Sequence, residues 1–314
     1  MTRKVNSSSG VKPFLKWAGG KAQLLPELED RLPPELEEGK IETYIEPFIG
    51  GGAMFFAMNW KYRFRRSVIC DLNQELILCY AAIKSSVRDL VVRLEDLETA
   101  YTVRDEIGRR DLYYSIRDRF NRDRPGFDFS LRNPDRVDRA AQLIFLNRTC
   151  YNGLFRVNRG GGFNVPFGRY KNPDILNEEL LMRAAGVLRK TRIIHGDFTR
   201  CRKHADEKAF VYCDPPYRPL NQTSSFTHYA RGGFPDTEQE RLALFIRDLD
   251  IKGVRVMLSN SDPRNADPDD RFFENLYAGF SQERVPARRS INCNGKRRGV
   301  ISELIITNYR SCTS

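Results

Sequence analysis

Ala209-Phe210-Val211-Tyr212-Cys213-Asp214-Pro215-Pro216-Tyr217 is the stretch on which the reading of this chain turns. The apolar, β-branched and aromatic run 209–213 predicts a buried strand. Two prolines end it, because neither can donate to a sheet ladder and both fix the backbone. A carboxylate, a stiff elbow and an aromatic ring are left at the strand's carboxyl end, where open α/β sheets place ligand sites. The same residues would also serve as a strand-terminating turn whose aspartate caps a neighbouring helix. What stands on either side decides between the two.

Strand patterns recur around it. Residues 192–195 form one that runs into Gly196-Asp197-Phe198, residues 254–260 another, and 303–307 the last, with a helix predicted over 236–250. Nearer the N-terminus, Thr43-Tyr44-Ile45-Glu46 reads as a strand leading through Pro47-Phe48-Ile49-Gly50-Gly51-Gly52 into an apolar helix from Ala53. Strand, glycine loop and helix make a nucleotide-cofactor geometry. About 20 residues on, where such folds carry an acidic residue for a ribose, Ser67-Val68-Ile69-Cys70 ends in Asp71. Asp71 would equally suit the N-cap of a helix beginning near Glu75. Before all of these, Pro13-Phe14-Leu15-Lys16-Trp17-Ala18-Gly19-Gly20-Lys21 is a glycine turn feeding a helix through Leu24, Leu25, Leu28 and Leu32. Its glycines either let backbone N–H groups approach a ligand or only shape the turn.

Charge narrows the partner. Lys and Arg outnumber Asp and Glu by 52 to 41 over 314 residues, a net +11, which fits a polyanionic partner or merely a soluble basic protein. The distribution favours the partner. Arg139, Arg148, Arg156, Arg159, Arg169 and Lys171 fall in an acid-free window between Asp138 and Asp174. Arg284, Arg288, Arg289, Lys296, Arg297 and Arg298 fall in a second, which runs to Ser302. Aromatics and asparagines interleave with the first, as a surface that neutralises phosphates and touches bases requires.

The middle of the chain is helical in pattern. Leu76, Ile77, Cys79, Tyr80 and Ile83 predict one amphipathic helix, Leu90, Val91, Leu94 and Leu97 another, and 134–147 a third. The stretch 101–138 carries both charges densely and reads as solvated helices or loops. Asn147-Arg148-Thr149-Cys150-Tyr151-Asn152-Gly153-Leu154-Phe155-Arg156-Val157-Asn158, then Gly160-Gly161-Gly162, then Phe163-Asn164-Val165-Pro166-Phe167-Gly168-Arg169-Tyr170 predict a hairpin. A single hairpin fits the major groove of DNA. No apolar run approaches the ~20 residues of a membrane span, and 1–10 has no signal-peptide core. Seven cysteines without a C-x-x-C pair fit reduced thiols in a cytoplasm, and three histidines, none at ligand spacing, argue against zinc. No glycine run has the G-x-G-x-x-G order of a nicotinamide dehydrogenase.

Taken together, Lys16-Trp17-Ala18-Gly19-Gly20-Lys21, Glu46-Pro47 with its glycine loop, and Asp214-Pro215-Pro216-Tyr217 resemble the motifs of Dam-type (α-class, D12 class) adenine-specific DNA methyltransferases. The hairpin segments 152–156 and 163–170 resemble the DNA-reading hairpin of the GATC-recognising branch. The likeness is colinear from Pro13 to Tyr309 and weakest in 101–138 and 262–270. It implies an α/β fold: a Rossmann-like methyltransferase sheet with an inserted, mainly helical DNA-recognition domain carrying a β-hairpin. Residues 1–74 and 190–314 would form the catalytic domain that binds S-adenosyl-L-methionine, and 75–189 the target-recognition domain.

By the same resemblance, Asp214, Pro215, Pro216 and Tyr217 are catalytic. Trp17 and Lys21 would line the cofactor's methionine end, Asp71 its ribose and Asp197-Phe198 its adenine. Ala18, Gly19, Glu46, Pro47, Phe48, Gly50 and Gly52 complete the cofactor set, with Asp214 touching cofactor and substrate alike. On DNA, Arg156 would donate two hydrogen bonds to a guanine, Leu154 and Pro166 would meet a thymine methyl, and Lys16 the outer guanine. Asn152 would face the space left by the flipped base, and Tyr170 would insert into the stack unless it is a hairpin-core aromatic. Arg169 completes the DNA-binding set. The implied partner is double-stranded DNA in a bacterial or phage cytoplasm, at the nucleoid, with a restriction enzyme on the same site left open. Neither metal nor membrane is called for.

The expected chemistry follows from the residues. Adenine's exocyclic amine is a poor nucleophile because its lone pair is delocalised into the ring. Two acceptors, Asp214 Oδ and the Pro215 carbonyl, would favour a tetrahedral nitrogen, and methyl transfer is then direct displacement limited by alignment. At an ordinary carboxylate pKa, Asp214 is a weak base and mainly an orienter. The target base must leave the duplex, with Tyr217 stacked on it and 220–233, including Phe226 and Tyr229, suited to a lid. Transfer to a cytosine amine uses the same acceptors, and a protein or RNA amine, or a DNA-binding regulator without turnover, are the remaining rivals.

Overall fold

The computed structural model describes residues 10–17, 19–130, 133–218, 234–287 and 301–310. Ala18, the expected lid 220–233 and the 288–300 part of the second basic window lie outside the described residues. The chain divides into two compact units. One comprises Met1–Gly20, Gly50–Lys61 and Asn73–Gly196, the other Lys21–Ile49, Tyr62–Leu72 and Asp197–Ser314.

Among the described residues the strands are β1 (Thr43–Glu46), β2 (Arg66–Asp71), β3 (Thr191–His195), β4 (Ala209–Cys213), β5 (Arg255–Ser261), β6 (Ser281–Ala287) and β7 (Ile301–Thr307). All but β3 belong to the second unit, where they lie in the order β2-β1-β4-β5-β7-β6. The pairs β1–β2, β1–β4 and β4–β5 are parallel, with Ile45 opposite Val211 and Val211 opposite Val256. β7 runs antiparallel to both β5 and β6. This is the mixed, mostly parallel α/β architecture that the sequence predicts. β1 and β4 are buried along their whole length, and such strands carry near-continuous apolar runs rather than alternation. The chain leaves β1 for β2 on one side and β4 for β5 on the other. The carboxyl ends of β1 and β4 therefore flank a switch point, where α/β sheets bind ligands.

The first unit is mainly helical. Its longest helix, Gln74–Thr102, is capped by Asn73, whose side chain accepts from the Glu75 and Leu76 N–H groups at 3.1 and 3.2 Å. Asn73, not Asp71, is thus the N-cap. The two amphipathic runs expected here are halves of this one element, broken at Ser86 by non-helical dihedrals. Helices Glu106–Asp123 and Arg136–Thr149 follow. The expectation of solvated structure over 101–138 fails at Tyr101, Tyr113 and Phe120, which are buried. A buried ion pair joins the first and third of these helices. Arg139 Nε and Nη2 donate to Glu75 Oε2 and Oε1 at 2.8 and 2.5 Å, and the guanidinium lies 4.1 Å from the Phe120 ring centre.

The predicted hairpin is antiparallel but irregular. It is held by two isolated bridges, Cys150 to Phe167 and Val157 to Phe163, not a continuous ladder. Pro166 cannot donate, and Asn152 and Arg169 adopt left-handed φ of 56° and 57°, which turns the chain out of register. β6 is absent from the sequence reading, where the basic run from Arg284 masked a strand. No described helix is long and apolar enough to cross a membrane. No group of three or more His, Cys, Asp or Glu among the described residues could hold a metal ion.

Candidate active site

At the end of β4 the chain builds a cluster of charges and hydroxyls. Lys21 opens the turn Lys21–Gln23 and is buried. Its ammonium lies 3.2 Å from Asp214 Oδ1 and donates to Glu303 Oε2 at 2.9 Å and the Tyr217 hydroxyl at 2.6 Å. Tyr217 in turn donates to Glu303 Oε1 at 2.8 Å, and its ring centre is 4.5 Å from Lys21 Nζ. Ser259, on β5, donates to Asp214 Oδ1 at 3.2 Å and shares a 2.8 Å hydrogen bond with the Tyr212 hydroxyl. All three contacts of Lys21 match its three N–H donors. Both contacts of Asp214 fall on Oδ1, so Oδ2 has no partner among the described residues. None of them donates to the Pro215 carbonyl either, while Gln239 Nε2 lies 3.5 Å from the Pro216 carbonyl.

Two carboxylates share one ammonium here, in a site where Asp214 is 21% exposed and Glu303 13%. Burial raises the Asp214 carboxyl to about 6, with Lys21 opposing the rise and Glu303 adding to it. The sequence-based view of Asp214 as a weak base of ordinary pKa is corrected accordingly. Burial would lower the Lys21 ammonium, but the charges of Asp214, Tyr217 and Glu303 more than offset this and raise it. Burial also raises the Tyr217 phenol, with Lys21 opposing. Lys21 is therefore charged and Tyr217 neutral at physiological pH. Glu303, Ser259 and Tyr212 escaped the sequence reading. Only the acidic residue that opens the 303–307 strand pattern pointed to the first of them.

Other expected residues of the second unit gather at neighbouring strand ends. Glu46 closes β1, is buried, and accepts from the Tyr44 hydroxyl at 2.7 Å. Asp71 closes β2. After Pro47, the Phe48 ring lies 5.4 Å from Phe198 and 5.7 Å from Phe234. Asp197 caps the turn Phe198–His204 through Thr199 N and Oγ1 at 3.0 and 2.6 Å. Arg241 clamps the same carboxylate from the other side, at 3.0 and 2.7 Å, with its guanidinium 4.4 Å from the Phe198 ring centre. Burial opposes the ionisation of Asp197, but the Arg241 and Thr199 hydrogen bonds win and hold it down at about 2. Three of these contacts fall on Oδ1 and one on Oδ2.

The first unit holds the remaining ones. Trp17 stacks on Phe155 at 5.2 Å, and a Cβ on Gly50 would come within 3.1 Å of the Trp17 ring. Gly19, Gly50 and Gly52 take positive φ of 77°, 45° and 76°. Asn147, buried, ties the Lys16 backbone to the hairpin. It accepts from Lys16 N at 2.9 Å and donates to the Lys16 and Gly153 carbonyls, each at 2.9 Å.

Along the hairpin the faces alternate. Phe155, Phe163, Val165 and Phe167 are buried, whereas Arg156, Pro166 and Arg169 are exposed and Leu154 half-buried. Arg156 donates through Nε to Asn164 Oδ1 at 2.8 Å and through Nη2 to the Asn164 carbonyl at 3.2 Å. The exposed Asn152 donates its N–H to the Tyr170 hydroxyl at 3.2 Å, and Lys16 Nζ lies 5.5 Å from the Tyr170 ring centre. The scaffold grips the second strand by its main chain. Tyr101 and Tyr113 donate to the Tyr170 and Val165 carbonyls at 2.6 and 2.7 Å, and Asn121 bonds both N–H and carbonyl of Phe163.

Residues 17–291 match the D12 class N6 adenine-specific DNA methyltransferases. The type II methyltransferase M.MjaIII of Methanocaldococcus jannaschii is 49% identical over 95% of this chain and 99% of its own length. The type II methyltransferase M1.LlaDCHI of Lactococcus lactis subsp. cremoris is 39% identical, over 95% of this chain and 96% of its own. A DNA adenine methylase of Vibrio cholerae is 32% identical, over 94% and 95%. With an adenine-specific family matched over most of the chain, the cytosine, protein, RNA and non-enzymatic readings fall away. The chain belongs to the D12 class of N6 adenine-specific DNA methyltransferases.

Proposed function

We propose that this enzyme methylates N6 of adenine within GATC duplexes, using S-adenosyl-L-methionine, after the target base has left the helix. The observation that carries the reading is an Asp214 Oδ2 that no described residue engages, one residue before a Pro215 carbonyl that none of them engages either, at a proline-stiffened strand end. Each accepts one hydrogen of the amine, which draws the nitrogen toward a tetrahedral form with an available lone pair. The described residues suit the methyl donor. Glu46 and Asp71 end adjacent parallel strands, Phe48 and Phe198 offer an aromatic surface for its adenine, and Gly50 and Gly52 take the left-handed φ of a tight glycine loop. Trp17, Gly19 and Lys21 complete the set.

When bound, S-adenosyl-L-methionine would supply a methyl group activated for transfer by its sulfonium, with the neutral thioether as the leaving group. With its pKa near 6, Asp214 is an acceptor at pH 7.5 and can briefly hold the proton that the amine releases. Tyr217 presents its ring to the extruded base. Residues 75–189 act as the target-recognition domain and the rest as the catalytic domain. Arg156 reads a guanine, Leu154 and Pro166 a thymine methyl, Lys16 the outer guanine, and Asn152, Arg169 and Tyr170 support the opened duplex. The type II names of two relatives favour a companion restriction enzyme on the same site, in a cytoplasmic, nucleoid-associated setting.

The test is transfer of labelled methyl to a GATC duplex, to its single-base variants and to single strands, followed by nucleoside analysis. Label confined to N6-methyladenine in GATC is expected, and equal labelling of the variants would refute the specificity. A 2-aminopurine placed at the target should brighten on binding; unchanged fluorescence would count against extrusion.

A further inference from the structure

We infer that Glu303 is a positioning residue for methyl transfer: it holds the Lys21 ammonium and the Tyr217 hydroxyl so that Asp214 Oδ2 stays open to the substrate amine. The inference rests on Asp214 being the acceptor proposed above. Lys21 has three donors and sits 3.2 Å from Asp214 Oδ1. Left with Asp214 as its sole carboxylate, it would engage both oxygens and compete with the amine. Glu303 prevents this by division of labour, with Oε2 on Lys21 and Oε1 on Tyr217.

The backbone that presents Glu303 is fixed on both sides. On β7 it lies opposite Ser261 of β5 and Val285 of β6. The preceding Ser302 exchanges two backbone hydrogen bonds with the Asn265 side chain, at 3.0 and 2.7 Å, and donates its hydroxyl to the buried Asp262 at 2.6 Å. That amount of support for one half-exposed serine makes sense as a means of aiming its neighbour.

Facing Asp214 are Lys21 from the N-terminal turn, Tyr212 and Cys213 from β4, Ser259 from β5, Tyr217 and Glu303. Of these, Lys21 and Glu303 act on the Asp214 carboxyl through charge, Lys21 lowering its pKa and Glu303 raising it. Removing the Glu303 charge strips a like charge from Asp214 and concentrates Lys21 on it. Both changes lower the pH at which Asp214 ionises.

The experiment compares wild type, Glu303→Gln, Glu303→Asp and Asp214→Asn for kcat against pH from 5 to 9, for DNA affinity and for thermal stability. Glu303→Gln should lower kcat roughly tenfold, leave duplex affinity unchanged, and move the acid limb down by roughly one pH unit. Glu303→Asp, which keeps the charge, should keep the wild-type limb even where kcat falls, and it decides the matter if the glutamine variant does not fold. Unchanged kcat in Glu303→Gln, or a loss at every pH with an unmoved limb, would overturn the assignment. Asp214→Asn separates the two readings, since turnover surviving in that variant indicts Asp214 itself, whereas a dead Asp214→Asn beside a normal Glu303→Gln indicts Glu303 alone.

Discussion

Replacing Asp214 by asparagine should cut turnover by orders of magnitude and, above pH 6, make the protein more stable. The carboxyl is raised from its ordinary 3.8 to about 6 by burial. Ionising it therefore costs the folded state something the unfolded chain does not pay. Two pKa units at about 1.4 kcal/mol each set the cost near 3 kcal/mol. The sign fixes the pH window. The penalty is absent below the unfolded pKa near 4, grows as pH rises toward 6, and is complete above it. A neutral isostere escapes it, so urea unfolding at pH 8 should show Asp214→Asn stabilised by up to about 3 kcal/mol, with the two proteins converging near pH 4. Turnover in the same variant should fall by about 10²–10³, the scale for losing a preorganised hydrogen-bonding group at a reacting centre. In the wild type, kcat should drop at pH 5 to about one tenth of its pH 8 value as the acceptor is protonated. A stability difference independent of pH, or a destabilised asparagine variant at pH 8, would refute the argument from burial.

Arg156→Ala should cost about 1–3 kcal/mol of discrimination at one guanine, read as relative kcat/KM on single-base variants of the site; unchanged selectivity would remove Arg156 from the reading surface. Asn147→Ala breaks three hydrogen bonds in a buried position and should destabilise by about 1–3 kcal/mol in chemical denaturation, while loosening Lys16 enough to weaken DNA affinity. Gly153→Ala faces both a φ of 63° and a Cβ that would meet Lys16 Cβ at 2.8 Å, so a loss of about 1–3 kcal/mol is expected and a neutral substitution would contradict it. DNA affinity should fall steeply with salt, as phosphate neutralisation requires; a flat log–log plot would exclude the basic surface as the DNA-binding face.

Much of this was legible because the relevant patterns are local. Apolar runs ending in Glu46, Asp71 and Asp214 gave β1, β2 and β4 almost to the residue, and two extended segments on either side of Gly160-Gly161-Gly162 gave the hairpin. What escaped depends on partners distant in sequence. Glu303 reads as one acid beside an apolar strand until folding brings it to Lys21, 282 residues away. Tyr101, Tyr113 and Phe120 were hidden by the charges around them, since a single buried stripe on a highly charged helix leaves a weak periodic signal. Asp214's altered acidity follows from burial and from its neighbours' charges, neither of which is written in Asp-Pro-Pro-Tyr.

The grip of Tyr101, Tyr113 and Asn121 on carbonyl and amide groups of 163–170 has an evolutionary corollary. Main-chain anchors are indifferent to the letters displayed beyond them. Positions such as 154, 156 and 166 are thus free to drift while the ribbon bearing them keeps its course. Under the proposed reading, new target sequences could be acquired by changing a few outward side chains, with the helices beneath left untouched.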